Sequence, residues 1–345
     1  SKIISYTASD SPYYKEVSLV YFIQYHLHLQ MSEVRNYARQ EGVVLKGDIP
    51  IGISRTSVDA WVNPHLFHLD SQAGAPPDDF SVSGQNWGFP TYNWEEMARD
   101  GYEWWKARFR KMAEYFDAYR IDHILGFFRI WEIPCDAVQG LLGHFNPALP
   151  FTPSDLQNYG FEFHKERHAT PYIYDYFLGD FFGEYTGEVI SSYLEDKGYG
   201  RKVFRNEVDT QRKVVELFSG KEDEKSLRIK NGLLGLLDEV LFVEDPVKQG
   251  YYHPRISAQY TYSYRALSDG ERWAYDKMYN DFFYHRHNEF WKQEAMRKLP
   301  PLISSTRMLV CGEDLGMIPH CVPEVMKTLQ ILSLEIQRMP KYPEY

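Results

Sequence analysis

Between Lys15 and Gln40 the apolar residues Val20, Ile23, Leu27, Met31, Val34 and Ala38 return at steps of three or four, the period that stacks side chains on one face of a helix. Gly42 then stands where such a helix stops. The run 43–48 starts with β-branched residues and closes on Ile49-Pro50, the pattern of a short buried strand entering a loop. A long loop rich in Gly, Pro, Asp and Asn spans 63–90. Asn93 then caps a second helix, with Glu96 as its capping-box partner. Met97, Trp104, Trp105, Ala107, Phe109, Met112 and Phe116 form that helix's expected core stripe. Further short strands are predicted at 118–122 and 308–313.

Strands separated by helices imply a parallel sheet, which needs helices over its faces. In such α/β folds the chemistry gathers at the carboxyl ends of the strands. All three expected strands end in a carboxylate: Asp48, Asp122 and Glu313. One strand-end acid is commonly a turn former, but three in one chain point to a site. Between Cys135 and Leu302 the pattern changes to helical, charged segments, 203–217 and 222–243, with no strand of the same type. Within them 221–225 reads as a solvated charge run. Leu227, Ile229, Leu233, Leu234, Leu236, Leu237 and Val240 mark the apolar face of a packed helix.

Composition narrows the function classes. The chain has 345 residues, 43% hydrophobic, enough for a large core. A formal charge of -10 with no basic stripe argues against a nucleic-acid partner. No apolar run approaches the length that crosses a bilayer, so no membrane partner is expected. Cys135, Cys311 and Cys321 are too far apart for a paired zinc or disulfide framework and read as reduced thiols of a cytoplasmic protein. Nothing suggests a nucleotide loop or metal cluster, so no cofactor and no metal are expected. The 27 Tyr, 21 Phe and 8 Trp suit stacking on sugar faces, but they suit an aromatic core equally well.

Side chains alternate along a strand, so Arg120 and Asp122 share one face. An arginine beside a carboxylate lowers its pKa and keeps it ionised, as a nucleophile requires; the alternative is a buried structural ion pair. Leu309, Cys311 and Glu313 also share a face, and apolar neighbours raise a glutamate's pKa towards that of a general acid. Two acids with pKa values pushed apart are the requirement for cleaving a glycosidic bond with retention.

Five ordered stretches, Gly47-Asp48-Ile49-Pro50-Ile51, Gly74-Ala75-Pro76-Pro77-Asp78, Gly84-Gln85-Asn86-Trp87-Gly88, Arg120-Ile121-Asp122-His123 and Gly312-Glu313-Asp314-Leu315-Gly316, resemble the motifs of the amylomaltase family. These are 4-α-glucanotransferases, or disproportionating enzymes, on a (β/α)8 TIM barrel. The resemblance implies Asp122 as nucleophile and Glu313 as general acid/base. It implies Arg120, His123, Asp48, Asp78, Trp87 and Asp314 as residues of the substrate site; for His123 a backbone-bonded structural role is the alternative. Maltose, malto-oligosaccharides and larger α-glucans are the implied partners. The long link between the two catalytic positions resembles the plant cytosolic type, in which maltose donates a glucosyl unit. On this reading 1–134 and 302–345 are barrel parts and 135–301 is a mostly helical insertion. The family's third carboxylate, in a T-H-D motif, has no counterpart here, so an incomplete barrel within a longer enzyme is expected. The rival readings are an α-amylase-type hydrolase and a catalytically silent glucan-binding fragment.

Overall fold

The computed structural model describes residues 5–78, 81–336 and 338. The three expected strands form at Lys46–Ile49 (β1), Ala118–Ile121 (β2) and Leu309–Gly312 (β3), side by side and all parallel. A fourth strand, Leu332–Ser333 (β4), extends the sheet beyond β3; two residues are too few to leave a periodicity. The register pairs Asp48 with Arg120 and Arg120 with Cys311. On the next rung Ile49 pairs with Ile121, and Ile121 with Gly312. Alternation therefore puts Gly47, Ile49, Tyr119, Ile121, Val310 and Gly312 on the buried face and Asp48, Arg120 and Cys311 on the other. On the buried face the helical layer comes very close. A Cβ on Gly312 would lie 2.7 Å from Cδ1 of the fully buried Ile124, so a side chain there is excluded.

The helix expected over 15–40 runs from Tyr14 to Gln40 (α1), as the periodicity predicts, but among the described residues its apolar stripe is not covered. Val20, Ile23, Leu27 and Val34 are exposed and only Ala38 is buried. Polar contacts hold α1 instead. Arg39 pairs with Asp117 at 2.6 Å, Arg35 Nη1 donates to the Glu114 carbonyl at 2.6 Å, and His28 Nδ1 lies 2.8 Å from the Tyr115 hydroxyl. Periodicity records a face able to be buried; whether it is depends on a partner layer.

The single helix expected after Asn93 is two, Trp94–Ala98 (α2) and Glu103–Ala113 (α3). Gly101 and Tyr102 both take left-handed backbone, φ 73° and 65°, and break it. Asn93 does cap α2, accepting from the Glu96 amide at 3.1 Å, while the Glu96 carboxylate pairs with Arg99 instead of closing a capping box. The expected loop 63–90 also contains paired backbone. Phe67–His68 pairs with Thr91–Tyr92, and Ser71–Ala75 joins Gln85–Asn86, Ile130–Pro134 and His144–Asn146 in a four-stranded antiparallel sheet. These strands are short and interrupted by Gly and Pro, which hides them from a pattern search.

In segment 135–301 the main helices are Glu224–Leu237 (α4), Asp269–Tyr284 (α5) and Asn288–Ile303 (α6). The helix expected at 203–217 opens as a hairpin strand, Lys202–Phe204 paired with Leu194–Asp196, and becomes helical only at Gln211–Leu217. The described residues form two hydrophobic cores. The larger gathers residues from Ile49 to Ile331, including those of α3, α5 and α6; the smaller gathers Ile173 to Leu237 and includes α4. Segment 135–301 therefore contributes to both. Among the described residues no helix is long and apolar enough to cross a membrane.

Candidate active site

The backbone ladder continues one rung past the strands. The Asp122 amide donates to the Ile49 carbonyl at 3.0 Å and the Glu313 amide to the Ile121 carbonyl at 2.9 Å. Asp122 and Glu313 thus occupy the same level on adjacent parallel strands, whose backbones run about 4.8 Å apart. Both side chains emerge on the face that carries Arg120. Arg120 Nε and Nη2 donate to the two oxygens of Asp48 at 2.9 and 3.0 Å, and Nη2 also donates to Asp122 Oδ1 at 2.8 Å. The Asp48 bonds hold the guanidinium charged. The Asp122 side chain is 38% exposed, and it lines a cleft of about 500 Å³ with Ile51, Arg55, Trp87 and Phe89. The arginine–carboxylate contact is therefore open to a ligand, not sealed in a core.

Glu313 is more enclosed, at 13% side-chain exposure. Its Oε2 accepts from the His123 amide at 3.0 Å and its Oε1 from the Leu315 amide at 2.9 Å. These bonds fix the carboxyl without neutralising it. Burial raises its pKa, with the two amides opposing and the Asp122 charge reinforcing the rise. The enclosure does not come from Leu309, which is 52% exposed; Glu313 lies in a cleft of about 200 Å³ walled by Pro76, Pro77, Trp87, His123 and Leu315. For Asp122 the expected downward shift is reversed. Burial raises its pKa, the Arg120 charge opposes without overcoming it, and Asp48 adds like charge.

The remaining expected residues distribute unevenly. His123 adopts left-handed backbone, φ 46°, at the turn after β2. Its ring meets Trp87 edge-on, centroids 5.0 Å apart, and its buried Nε2 has no partner among the described residues. Burial and Arg129 lower its pKa to about 3, so it is neutral at pH 7. Trp87 stacks on Phe89 at 5.7 Å and lines both clefts. Asp78 is exposed and lines the Glu313 cleft, accepting from the Ser81 amide at 2.8 Å. Asp314 does not join them. It is buried, and its oxygens accept from Ser333 Oγ at 3.0 and 2.9 Å and from the Leu334 amide at 3.1 Å, tying β4 to the end of β3.

Two arginines escaped the sequence reading. Arg55 donates to the carbonyls of Leu69, Ser71 and Gly88, which steadies the backbone beside Trp87. Arg129 lines the Glu313 cleft, and its signal was present as a lone charge within the apolar run 124–131. Among the described residues no group of three or more His, Cys, Asp or Glu could hold a metal ion.

A family model described as 4-alpha-glucanotransferase, glycoside hydrolase family 77, matches residues 5–344. The 4-alpha-glucanotransferase DPE2 of Oryza sativa subsp. japonica is 43% identical over 328 residues, covering 94% of this chain and 35% of that protein. The 4-alpha-glucanotransferase of Chlamydia caviae is 42% identical over 129 residues, 37% of this chain and 24% of that protein. The solved amylomaltase of Streptococcus agalactiae in complex with acarbose is 23% identical, with a TM-score of 0.35, over 74% of this chain and 61% of that one. The chain spans about a third of the rice relative's length. With the family match running through almost all of its residues, on strands whose ends carry the two acids, the chain belongs to the 4-alpha-glucanotransferase family, glycoside hydrolase family 77.

Proposed function

We propose that this chain carries the nucleophile and the acid/base of a retaining 4-α-glucanotransferase built on a (β/α)8 barrel, of which the four parallel strands form part. The observation that carries the reading is the placement of Asp122 and Glu313 at one level of adjacent strands, with Arg120 bonded to the first and two backbone amides to the second. That level suits the roughly 5 to 5.5 Å carboxyl separation of retaining enzymes.

Asp122 attacks the anomeric carbon of an α-1,4-linked glucosyl unit as the bond to the leaving oxygen breaks, and Glu313 gives that oxygen its proton. A covalent glycosyl-enzyme results. Glu313, now ionised, removes the proton of an incoming sugar hydroxyl, whose oxygen displaces Asp122 and restores the α linkage. Arg120 balances the nucleophile's charge and Asp48 orients Arg120. Asp78, Trp87 and neutral His123 line the glucan site, with Trp87 offering a ring face between the two clefts. Asp314 serves by holding β4 against the strand that carries Glu313. Maltose, malto-oligosaccharides and larger α-glucans are the substrates. The insertion is segment 135–301, of which 173–237 builds a core of its own. Three free thiols favour the cytoplasm.

Transfer and hydrolysis separate on maltotriose. The full-length enzyme is expected to redistribute it into shorter and longer glucans without net gain of reducing ends. Net gain of reducing ends would assign a hydrolase, and no reaction a silent binder.

A further inference from the structure

Behind the Glu313 cleft lies a second cavity, of about 260 Å³, and Arg129 and Met317 line both. Arg129 is 2% exposed. Its guanidinium carbon lies 4.6 Å from the ring centroid of Phe145 and 5.8 Å from that of Trp291. Nη2 donates to the Met317 carbonyl, and among the described residues the buried Nε has no partner and Nη1 makes no hydrogen bond. No described carboxylate lies within ion-pair distance. Burial lowers the group's pKa only to about 9, so it stays charged at neutral pH. A buried cation without a counter-charge is costly, and two ring faces with one carbonyl offset only part of that cost.

The rest of the cavity offers no counter-charge. Its lining holds His285, His287 and His320 and no Asp or Glu, in a chain of 48 acidic residues and net charge -10. His287 is occupied, with Nδ1 2.8 Å from the Phe282 carbonyl and Nε2 accepting from the Leu149 amide at 2.9 Å. His285 and His320 are exposed at the mouth, beside the half-exposed ring of Tyr284. We propose that this cavity binds a small oxyanion, a phosphate group either free or carried on a hexose, with Arg129 as its counter-charge and His285 and His320 donating to it. Arg129 also holds the carbonyl of Met317, four residues after Glu313, so an occupant would meet the loop that positions the acid/base.

The test is calorimetric titration of the full-length enzyme with inorganic phosphate, glucose 6-phosphate and glucose. Both anions are expected to bind and neutral glucose not to bind at this site, as judged by the variants. Tighter binding of the sugar phosphate assigns the hexose-linked form; equal binding assigns free phosphate. Arg129→Gln should weaken binding roughly 10- to 100-fold. Should that variant melt early, His320→Gln, on an exposed side chain, is expected to weaken it severalfold. Absence of binding by both anions, or binding that survives both substitutions, would overturn the proposal. The readout needs no turnover, so its failure leaves the roles of Asp122 and Glu313 standing, and a failed transfer assay leaves this site standing.

Discussion

At the scale of single residues, the two acids are separated by what surrounds them. Asp122 opens to the larger cleft with one arginine contact, whereas Glu313 is enclosed and held by two amides. Replacing Asp122 with Asn is expected to abolish transfer, measured by chromatography of maltotriose products, while calorimetry still detects oligosaccharide binding. Unchanged turnover would remove Asp122 from the nucleophile's place. Glu313→Gln is expected to lower the rate by roughly 10²- to 10⁴-fold on glucans and much less on glucosyl fluoride, whose leaving group needs no proton. Equal losses on both would exclude an acid role. Strand alternation was enough to put Arg120 with Asp122 and Cys311 with Glu313. The direction of the Asp122 shift was not legible, because it depends on burial and on the like charge of Asp48, seventy-odd residues away. Asp314, adjacent to Glu313 in every motif view, turned out to face β4.

At the scale of elements, the site depends on how closely helices approach the sheet. Gly312 ends β3 immediately before Glu313, and an added methyl would meet Ile124 at 2.7 Å. Ile124 is fully buried and cannot step aside cheaply. Gly312→Ala is therefore expected to destabilise the protein by about 1–3 kcal/mol, seen as a lower midpoint in thermal denaturation, with reduced transfer because Glu313 shifts with the strand. A midpoint equal to that of the parent would show that the layer yields. The three chemical strands were legible because each combined β-branched or apolar residues with a terminal acid. The antiparallel sheet around Ser71–Ala75 was not, since its pairing is long-range and its strands are broken by Gly and Pro. The break between α2 and α3 was equally hidden: Gly101 alone is an ordinary helix interruption, and only the fold sets Tyr102 at φ 65°.

At the scale of the whole molecule, the two cores meet at a buried polar junction. Gln211 accepts from the Val138 and Gln139 amides at 2.8 and 2.9 Å and donates to Asp238 Oδ1 at 2.8 Å, just beyond α4. Burial raises the Asp238 pKa to about 7, with Arg255 opposing and Glu239 reinforcing. The folded state therefore holds this proton more tightly than the unfolded chain, and the stability it contributes is lost as pH rises from about 4 through 7. Asp238→Asn is expected to raise the melting midpoint more at pH 8 than at pH 5; a gain independent of pH would place the titration elsewhere. The sequence by itself determined the order of the three acid-bearing strands, the strand-end acids, their faces and the family, because these follow from local periodicity and contiguous motifs. Only the tertiary structure decided which apolar faces are covered, how Arg120 is shared, which way the Asp122 pKa moves, and that a lone arginine in an apolar run joins two cavities. Those outcomes depend on which distant segments pack together, and burial and dielectric exist only once they do.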